Sequence, residues 1–330
     1  MNKASCTLPS QAHAPLSRFL KIIPLAALLA APAVWAVTDG GAFNIIDHGY
    51  VGANGATDNI VTVADNHKKN DAFSKTYGGW SDTEEVKDNF LTIESSGKVV
   101  SATGGYAQSA KPATNNTLTI YGEVRNDNPF FPIAFGGASV SGSATFNTVT
   151  IYGTVTGNVY GGHVKSNNNA TDNTVTLAGG TVQNGSVYGG FCQTCDDSND
   201  VVSRNTLKVQ DKGSNVSGEV DNFARIAFTL PAGFTAGSDT MLDITGANPV
   251  DLTDVEIAFE GSIPTLQHGS TLTLINNAKG TPKNTVVIVP GYKFDLSIDN
   301  NGALVAAVTV LHPITYKSNG NGTLEDCTPA

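Results

Sequence analysis

Residues 147–162 read NTVTIYGTVTGNVYGG, and residues 173–190 repeat the phrase as NTVTLAGGTVQNGSVYGG. Apolar and small polar residues alternate with a period of two, the pattern of a strand with one buried and one wet face. With the opening Asn as origin, units begin at Asn59, Asn89, Asn116, Asn147, Asn173 and Asn205, spaced by 30, 27, 31, 26 and 32 residues. In every unit the second and fourth residues after that Asn are aliphatic: Val61/Val63, Leu91/Ile93, Leu118/Ile120, Val149/Ile151, Val175/Leu177 and Leu207/Val209. The first and third are mostly Thr. A unit of short strands cannot bury its own apolar face, so a period in this range means stacking on neighbouring copies. The pattern predicts an all-β fold, a right-handed parallel β-helix with rungs ~4.8 Å apart.

A second strand is expected after a glycine-containing turn, at Val155, Gly157 and Val159 and again at Val216, Gly218 and Val220. Most units then close on a glycine pair preceded by an aromatic ring: Tyr77, Phe135, Tyr160 and Tyr188. Stacked rungs would set these four rings into a ladder, which is read as packing in preference to a sugar-binding strip. Trp80, Ala138, His163 and Phe191 follow the glycines, so His163 occupies a slot otherwise given to large flat side chains or to Ala. The six opening Asn residues are read as a structural repeat, able to bond to one another along the stack. Differences in period fall in loops such as KSNNNATD, which grow outward without disturbing strands.

Beyond the last unit, TLTLI (271–275), NTVVIV (284–289) and ALVAAVTVL (303–311) still alternate but lose the Asn register and the glycine pairs. They predict a C-terminal β cap over 237–311 that pairs with the final rung around Leu207 and shields its ladder groups. The repeat region then spans 37–236, and 312–330 form a flexible tail.

Composition agrees with strands: 40% apolar, 15% charged and 35 glycines. Residues 1–36 differ, because Lys3, Arg18 and Lys21 precede the run IIPLAALLAAPAVWA, which ends in small residues suited to a signal peptidase. At 15 residues with two prolines it falls short of the ~20 needed to span a bilayer. It predicts a signal peptide cut after Ala36 and export through the inner membrane. Those three cations belong to a total of 19 Lys+Arg, so the chain from Val37 carries 16 against 29 Asp+Glu, a net charge of −13. Such a chain lacks the basic patch that nucleic acid requires.

Cys192 and Cys195, in CQTC, are expected to form a small disulfide in an oxidising compartment. A zinc site would need a second ligand pair, which is absent from the sequence, so no metal and no cofactor is predicted. Cys327 is left as an odd thiol. Catalysis in β-helices needs carboxylates converging from adjacent rungs. Asp58, Asp88 and Asp172 each precede a rung-opening Asn, but Asn115 and Phe146 take that position in the rungs between, and a turn residue that caps its own backbone explains all three. The six histidines share no context with a serine elbow.

The repeated NTVTIYGTVTGNVYGG resembles, over residues 44–311, the passenger region of AIDA-type, pertactin-like autotransporters, surface-displayed β-helices of Gram-negative bacteria. LQHGSTLTLINNAKGT and YKFDLSIDNNGALVAAV are similar to the folding-aid segment that caps the helix in that family. The resemblance implies an exported, non-catalytic adhesion or self-association protein at the cell surface, outer membrane or extracellular space, with a glycan, a protein or itself as partner. The family's membrane barrel would need many further strands, and only 19 residues follow Leu311. A truncated frame, a fragment or a separate outer-membrane translocator therefore stay open. The alternative reading is a β-helical polysaccharide lyase or hydrolase.

Overall fold

The Asn-opened strands stack in parallel into one nine-stranded sheet, the first face of a β-solenoid of about seven turns. It runs through Trp35–Val37, Ile60–Val63, Phe90–Ile93, Thr117–Ile120, Thr148–Ile151, Thr174–Ala178, Thr206–Asp211, Arg225–Phe228 and Glu256–Phe259. The computed structural model describes residues 35–37, 50–54, 57–63, 75–125, 134–196 and 199–311, and among these there is no helix. The expected signal segment before Trp35, the tail 312–330 and Cys327 lie outside the described residues, and the cut expected after Ala36 falls within the strand Trp35–Val37. Leu118 stands between Leu91 and Val149, and Ile120 between Ile93 and Ile151, so the aliphatic pairs form two buried columns. Each fully buried Val, Leu or Ile contributes ~1.5–3 kcal/mol of hydrophobic stabilisation.

Each turn has two further faces where the sequence suggested one second strand. Val155 belongs to Thr154–Thr156 on the second face, and Val159 opens Val159–Ser166 on the third. Gly157, at φ 124°, makes the corner between them. The second face stacks Lys98–Val99, Glu123–Arg125, Thr154–Thr156, Thr181–Gln183, Ser214–Val216, Thr240–Ile244 and Thr271–Ile275. The third stacks Tyr50–Asn54, Lys75–Ser81, Ser101–Ala107, Ala134–Ser139, Val159–Ser166, Val187–Thr194 and Val220–Asp221. All three send buried aliphatic side chains into one shared core.

The glycine pairs do not end strands; they lie inside the third-face strands, as Gly161 and Gly162 do within Val159–Ser166. Their φ values are outside the left-handed region, so they are not needed for a turn. They are needed for close approach. A Cβ on Gly136 or Gly161 would stand 2.5 Å from the carbonyl oxygen of Gly161 or Gly189 in the next rung. A Cβ on Gly79, Gly105, Gly137 or Gly162 would run into the side-chain amide of Asn89, Asn116, Asn147 or Asn173.

Those amides form an internal ladder, fully buried from Asn89 to Asn205. Asn147 Nδ2 donates to Asn173 Oδ1 at 3.1 Å and to the Ala113 carbonyl at 2.9 Å. Its Oδ1 accepts from the Asn116 backbone N–H and Nδ2, both at 3.0 Å. Both donors and both lone pairs are thereby used, the condition under which a buried amide is tolerated. The same contacts recur from Asn59 through Asn89, Asn116 and Asn173 to Asn205.

The parallel register continues past residue 236. Leu207 pairs with Ile226 of Arg225–Phe228, and not with the expected cap; Ile226 in turn pairs with Ile257. These later turns drop the Asn and glycine signature yet keep buried Ile226, Phe228, Ile257 and Phe259, and inward apolar residues are what stacking requires. The sense of pairing reverses only at Thr271–Ile275. Leu304–Val310 runs antiparallel to it, followed by Tyr292–Ile298 and Val286–Val289. Phe294 of this meander is buried and stacks on Phe259 with centroids 4.1 Å apart. Asn284 accepts from Ile257 N–H and donates to Ile257 C=O, each at 2.8 Å, and so occupies backbone groups of the last first-face strand.

Two outcomes follow for stability. Gly137→Ala and Asn147→Ala should each lower the urea midpoint, by an equivalent of ~2–4 kcal/mol, while Gly233→Ala, with open space around it, should be neutral. Equal midpoints for Gly137→Ala and Gly233→Ala would remove the close-approach account. A chain ending at residue 281 loses Asn284 and Phe294 and should elute as aggregate in size-exclusion chromatography, whereas one ending at 311 stays monodisperse.

Candidate functional site

The three acids weighed for catalysis share one corner column, between the third and first faces. Asp58, Asp88, Asn115, Phe146, Asp172 and Arg204 all sit there in the left-handed region, at φ 57°, 56°, 53°, 59°, 61° and 56°. The short polar members suit it, because Asp and Asn tolerate that conformation. Asp88 accepts a hydrogen bond from Asn115 Nδ2 in the next rung. Asp172 accepts from Arg204 Nη2 at 2.7 Å and from Thr171 Oγ1 at 2.8 Å. The bond from Arg204, with burial opposing it, holds the Asp172 carboxyl below its ordinary range. Asp88 and Asp172 are three rungs apart, ~14 Å along the stack, beyond the ~5–9.5 Å of a carboxylate pair that cleaves glycosidic bonds. Asp58 and Asp88 are one rung apart, and Asp58 is exposed.

The aromatic residues lie on the third face in two columns flanking the glycines. Phe135, Tyr160 and Tyr188 stack continuously, with centroids 5.4 and 5.3 Å apart and planes within 15° and 13°. Tyr77 is separated from them by Thr103 in register and packs on Tyr106 at 5.4 Å. The second column is Trp80, Tyr106, Ala138, His163 and Phe191. Rings stacked along the axis spend their faces on each other, and a sugar needs a free face to stack upon. The Tyr160 hydroxyl accepts from Asn158 Nδ2 at 3.0 Å, and burial pushes its pKa up to about 12. His163 packs against Phe135 at 5.1 Å, Tyr160 at 5.4 Å and Phe191 at 5.7 Å. Burial among these rings lowers its pKa from the ordinary 6.5 to about 4, so the imidazole is neutral at pH 7.

Cys192 ends the third-face stack above Val164 and is joined to Cys195, their Cα atoms 5.6 Å apart. Further along, the third face opens into a cleft of about 640 Å³ between Val220–Asp221 and Val250–Asp251. It was not legible in the sequence, because it arises where third-face strands shrink to two residues and cease to pair. Its carboxylates are engaged: Glu219 accepts from Tyr188 and Asn248, and Asp221 from the Asn222 N–H. Asp251 accepts from the Thr253 N–H and faces Lys279 at 3.7 Å. No group of three or more His, Cys, Asp or Glu among the described residues is placed to hold a metal ion.

The outward positions of the first face form two rows in register. One is Ile60, Phe90, Thr117, Thr148, Thr174 and Thr206; the other is Thr62, Thr92, Thr119, Thr150 and Thr176. Charge enters at Lys208 and Arg225, which pair with Glu260 at 3.1 and 2.7 Å. Burial opposes ionisation of Glu260, but hydrogen bonds from Arg225 and Lys208 prevail and leave its carboxyl below the ordinary range. Comparison with protein-family models, with characterised proteins and with solved structures gives no match to this chain.

The imidazole, half-buried but packed between rings, has a measurable consequence. Its folded pKa lies below the unfolded one, so the folded state disfavours the charged form. Stability should be full above pH 6.5 and decline as pH falls from 6.5 toward 4. His163→Phe, the residue type of the adjoining rung, should flatten that decline in urea midpoints measured across this range. An NMR titration placing His163 near 6.5 would overturn the enclosure.

Proposed function

We propose that this chain is an exported, non-catalytic β-helix, similar in kind to autotransporter passengers, which works at the cell surface or outside the cell by adhesion or self-association. The observation that carries the reading is the first face between Phe90 and Thr176: threonine rows in register, repeated at the rung spacing and without charge until Lys208, which offer many weak contacts. The corner acids support it further, since Asn115 and Arg204 fill the same column as Asp58, Asp88 and Asp172 at the same positive φ, so the position does not depend on a carboxylate. In the cleft the carboxylates are held by Tyr188, Asn248, Lys279 and backbone N–H groups. The charged and then apolar start of the sequence and the Cys192–Cys195 bridge fit an exported chain. No helix among the described residues is long and apolar enough to cross a membrane. The partners are then a surface glycan, a surface protein or a second copy, and no cofactor is required.

The purified chain from Val37 should bind cells or sediment as concentration-dependent assemblies, and should release no reducing or unsaturated sugar ends from pectin or alginate. Asp58→Asn with Asp88→Asn should leave binding unchanged. Robust sugar release abolished by that double substitution would replace adhesion with a lyase or hydrolase.

A further inference from the structure

Among the described residues exposed large apolar side chains are sparse, and four of them fall on three consecutive rungs around the first face. They are Phe90, Tyr121, Phe146 and Tyr152, at 47%, 44%, 59% and 45% exposure. Phe146, Thr148, Thr150 and Tyr152 are alternate residues of one rung, so a ring stands at each margin of a threonine pair. In the preceding rung Tyr121 stacks on Tyr152, centroids 4.6 Å apart and planes within 11°. This stack stops there, because the next rung presents Ala178 after Leu177, which pairs with Ile151. The outer face of Tyr152 is therefore not met by another ring in register, unlike the rings of Phe135, Tyr160 and Tyr188.

Phe146 is the anomaly. It holds the left-handed conformation that its column gives elsewhere to Asp, Asn or Arg, and a bulky side chain there is a true outlier. Its ring is the most exposed of the four, so the strain is not returned as core packing. Strained, exposed aromatic residues held by a rigid frame are a signature of sites selected for contact with something else.

We propose that this strip, bounded by Phe146 on one margin and by Tyr121 and Tyr152 on the other, with Phe90 in its first threonine row, docks an uncharged polysaccharide laid along the solenoid axis. The inference rests on the adhesion reading and names its partner class. A neutral glycan offers C–H faces to the rings and hydroxyls to Thr92, Thr117, Thr119, Thr148 and Thr150, whose hydroxyls donate and accept. It brings no charge, and the strip has none, since Asp88 and Glu94 lie at one end and the Asp172–Arg204 pair and Lys208 at the other. A one-dimensional array repeating every ~4.8 Å suits a polymer of short repeat. A folded protein partner instead calls for a contiguous apolar centre, whereas here hydroxyls separate the rings at every rung.

The test is retention of the full chain from Val37 on insoluble cellulose, chitin and amylose, with alginate as the charged comparison. Retention is expected on at least one of the three and not on alginate. Phe146→Asn installs the residue type that Asn115 provides one rung earlier, so its thermal midpoint should stay level or rise while retention falls about tenfold. Tyr152→Thr should weaken retention similarly. Sedimentation velocity on each variant tests the competing occupant. No retention on any neutral polysaccharide, or retention indifferent to both substitutions, overturns the proposal. Variants that change sedimentation and not retention make the strip a contact between copies, and the glycan assignment falls. If cells are still bound while all three polysaccharides fail, only this inference is lost and the adhesion reading stands.

Discussion

Everything in this solenoid depends on how closely the third-face backbone approaches the asparagine column. The ladder amides lie fully inside, and each uses both donors and both lone pairs on the rungs beside it and on neighbouring carbonyls. That accounting closes only if the opposite wall supplies no side chain. The second glycine of each pair provides that absence, and the first lets successive third-face backbones nest. A buried amide missing one partner would cost ~1–3 kcal/mol, more than a typical hydrogen bond contributes, so the glycines and asparagines are one device repeated. Its strength grows with rung number, because every Asn from Asn89 to Asn173 both donates to one neighbour and accepts from the other.

A frame of this kind leaves its outside nearly unconstrained. The inward aliphatic columns fix register through burial, and the corner before each Asn asks only for a residue that accepts a positive φ. The acids that invite a catalytic reading are explained by that demand, which Asn115 and Arg204 meet as well. Outward positions of the first face face no comparable demand beyond fitting a pleated surface, so threonine recurs there, and departures such as Phe90, Tyr121, Phe146 and Tyr152 stand out as choices that packing does not dictate.

Much of this was legible in the sequence, because period-two alternation and a repeated Asn carry the register directly. The pairing of Leu118 with Leu91 and Val149 is the alignment of the units written in space. The column after the glycines, with His163 beside Phe191, was readable in the same way. Two features were hidden for definite reasons. A glycine pair looks like a strand end, since turns are its commonest use, and only the Asn seated opposite Gly137 shows that it serves close approach. The rungs after Asn205 escaped because a stacked turn needs inward apolar residues and not the motif that marked its predecessors. Ile226, Phe228, Ile257 and Phe259 supply those without any Asn. The cleft was invisible because it follows from strands that shorten and cease to pair.

The polarity of the ladder explains why that motif has to stop before the solenoid does. Each Nδ2 donates toward the C-terminal rung, so a final asparagine would hold a buried donor facing no successor. Asn205 is that residue, and its amide turns to the backbone carbonyls of Ala170, Val201 and Asn222 at 3.0, 2.6 and 3.3 Å. Once the run is closed this way, the glycines opposite lose their reason, and the remaining interior can take large side chains. Phe223, Phe228, Phe259 and Phe294 are buried there, with Phe259 on Phe294 joining the last parallel turn to the antiparallel meander. The backbone groups of the last first-face strand still need partners. Asn284 meets that need at Ile257 from outside the stack, doing for a terminal peptide what a further rung would have done. A polar interior column with a direction is therefore closed by a terminator, an apolar plug and an edge cover: Asn205 first, then Phe223, Phe228 and Phe259, then Asn284, with Phe294 added to the plug from the meander beyond it.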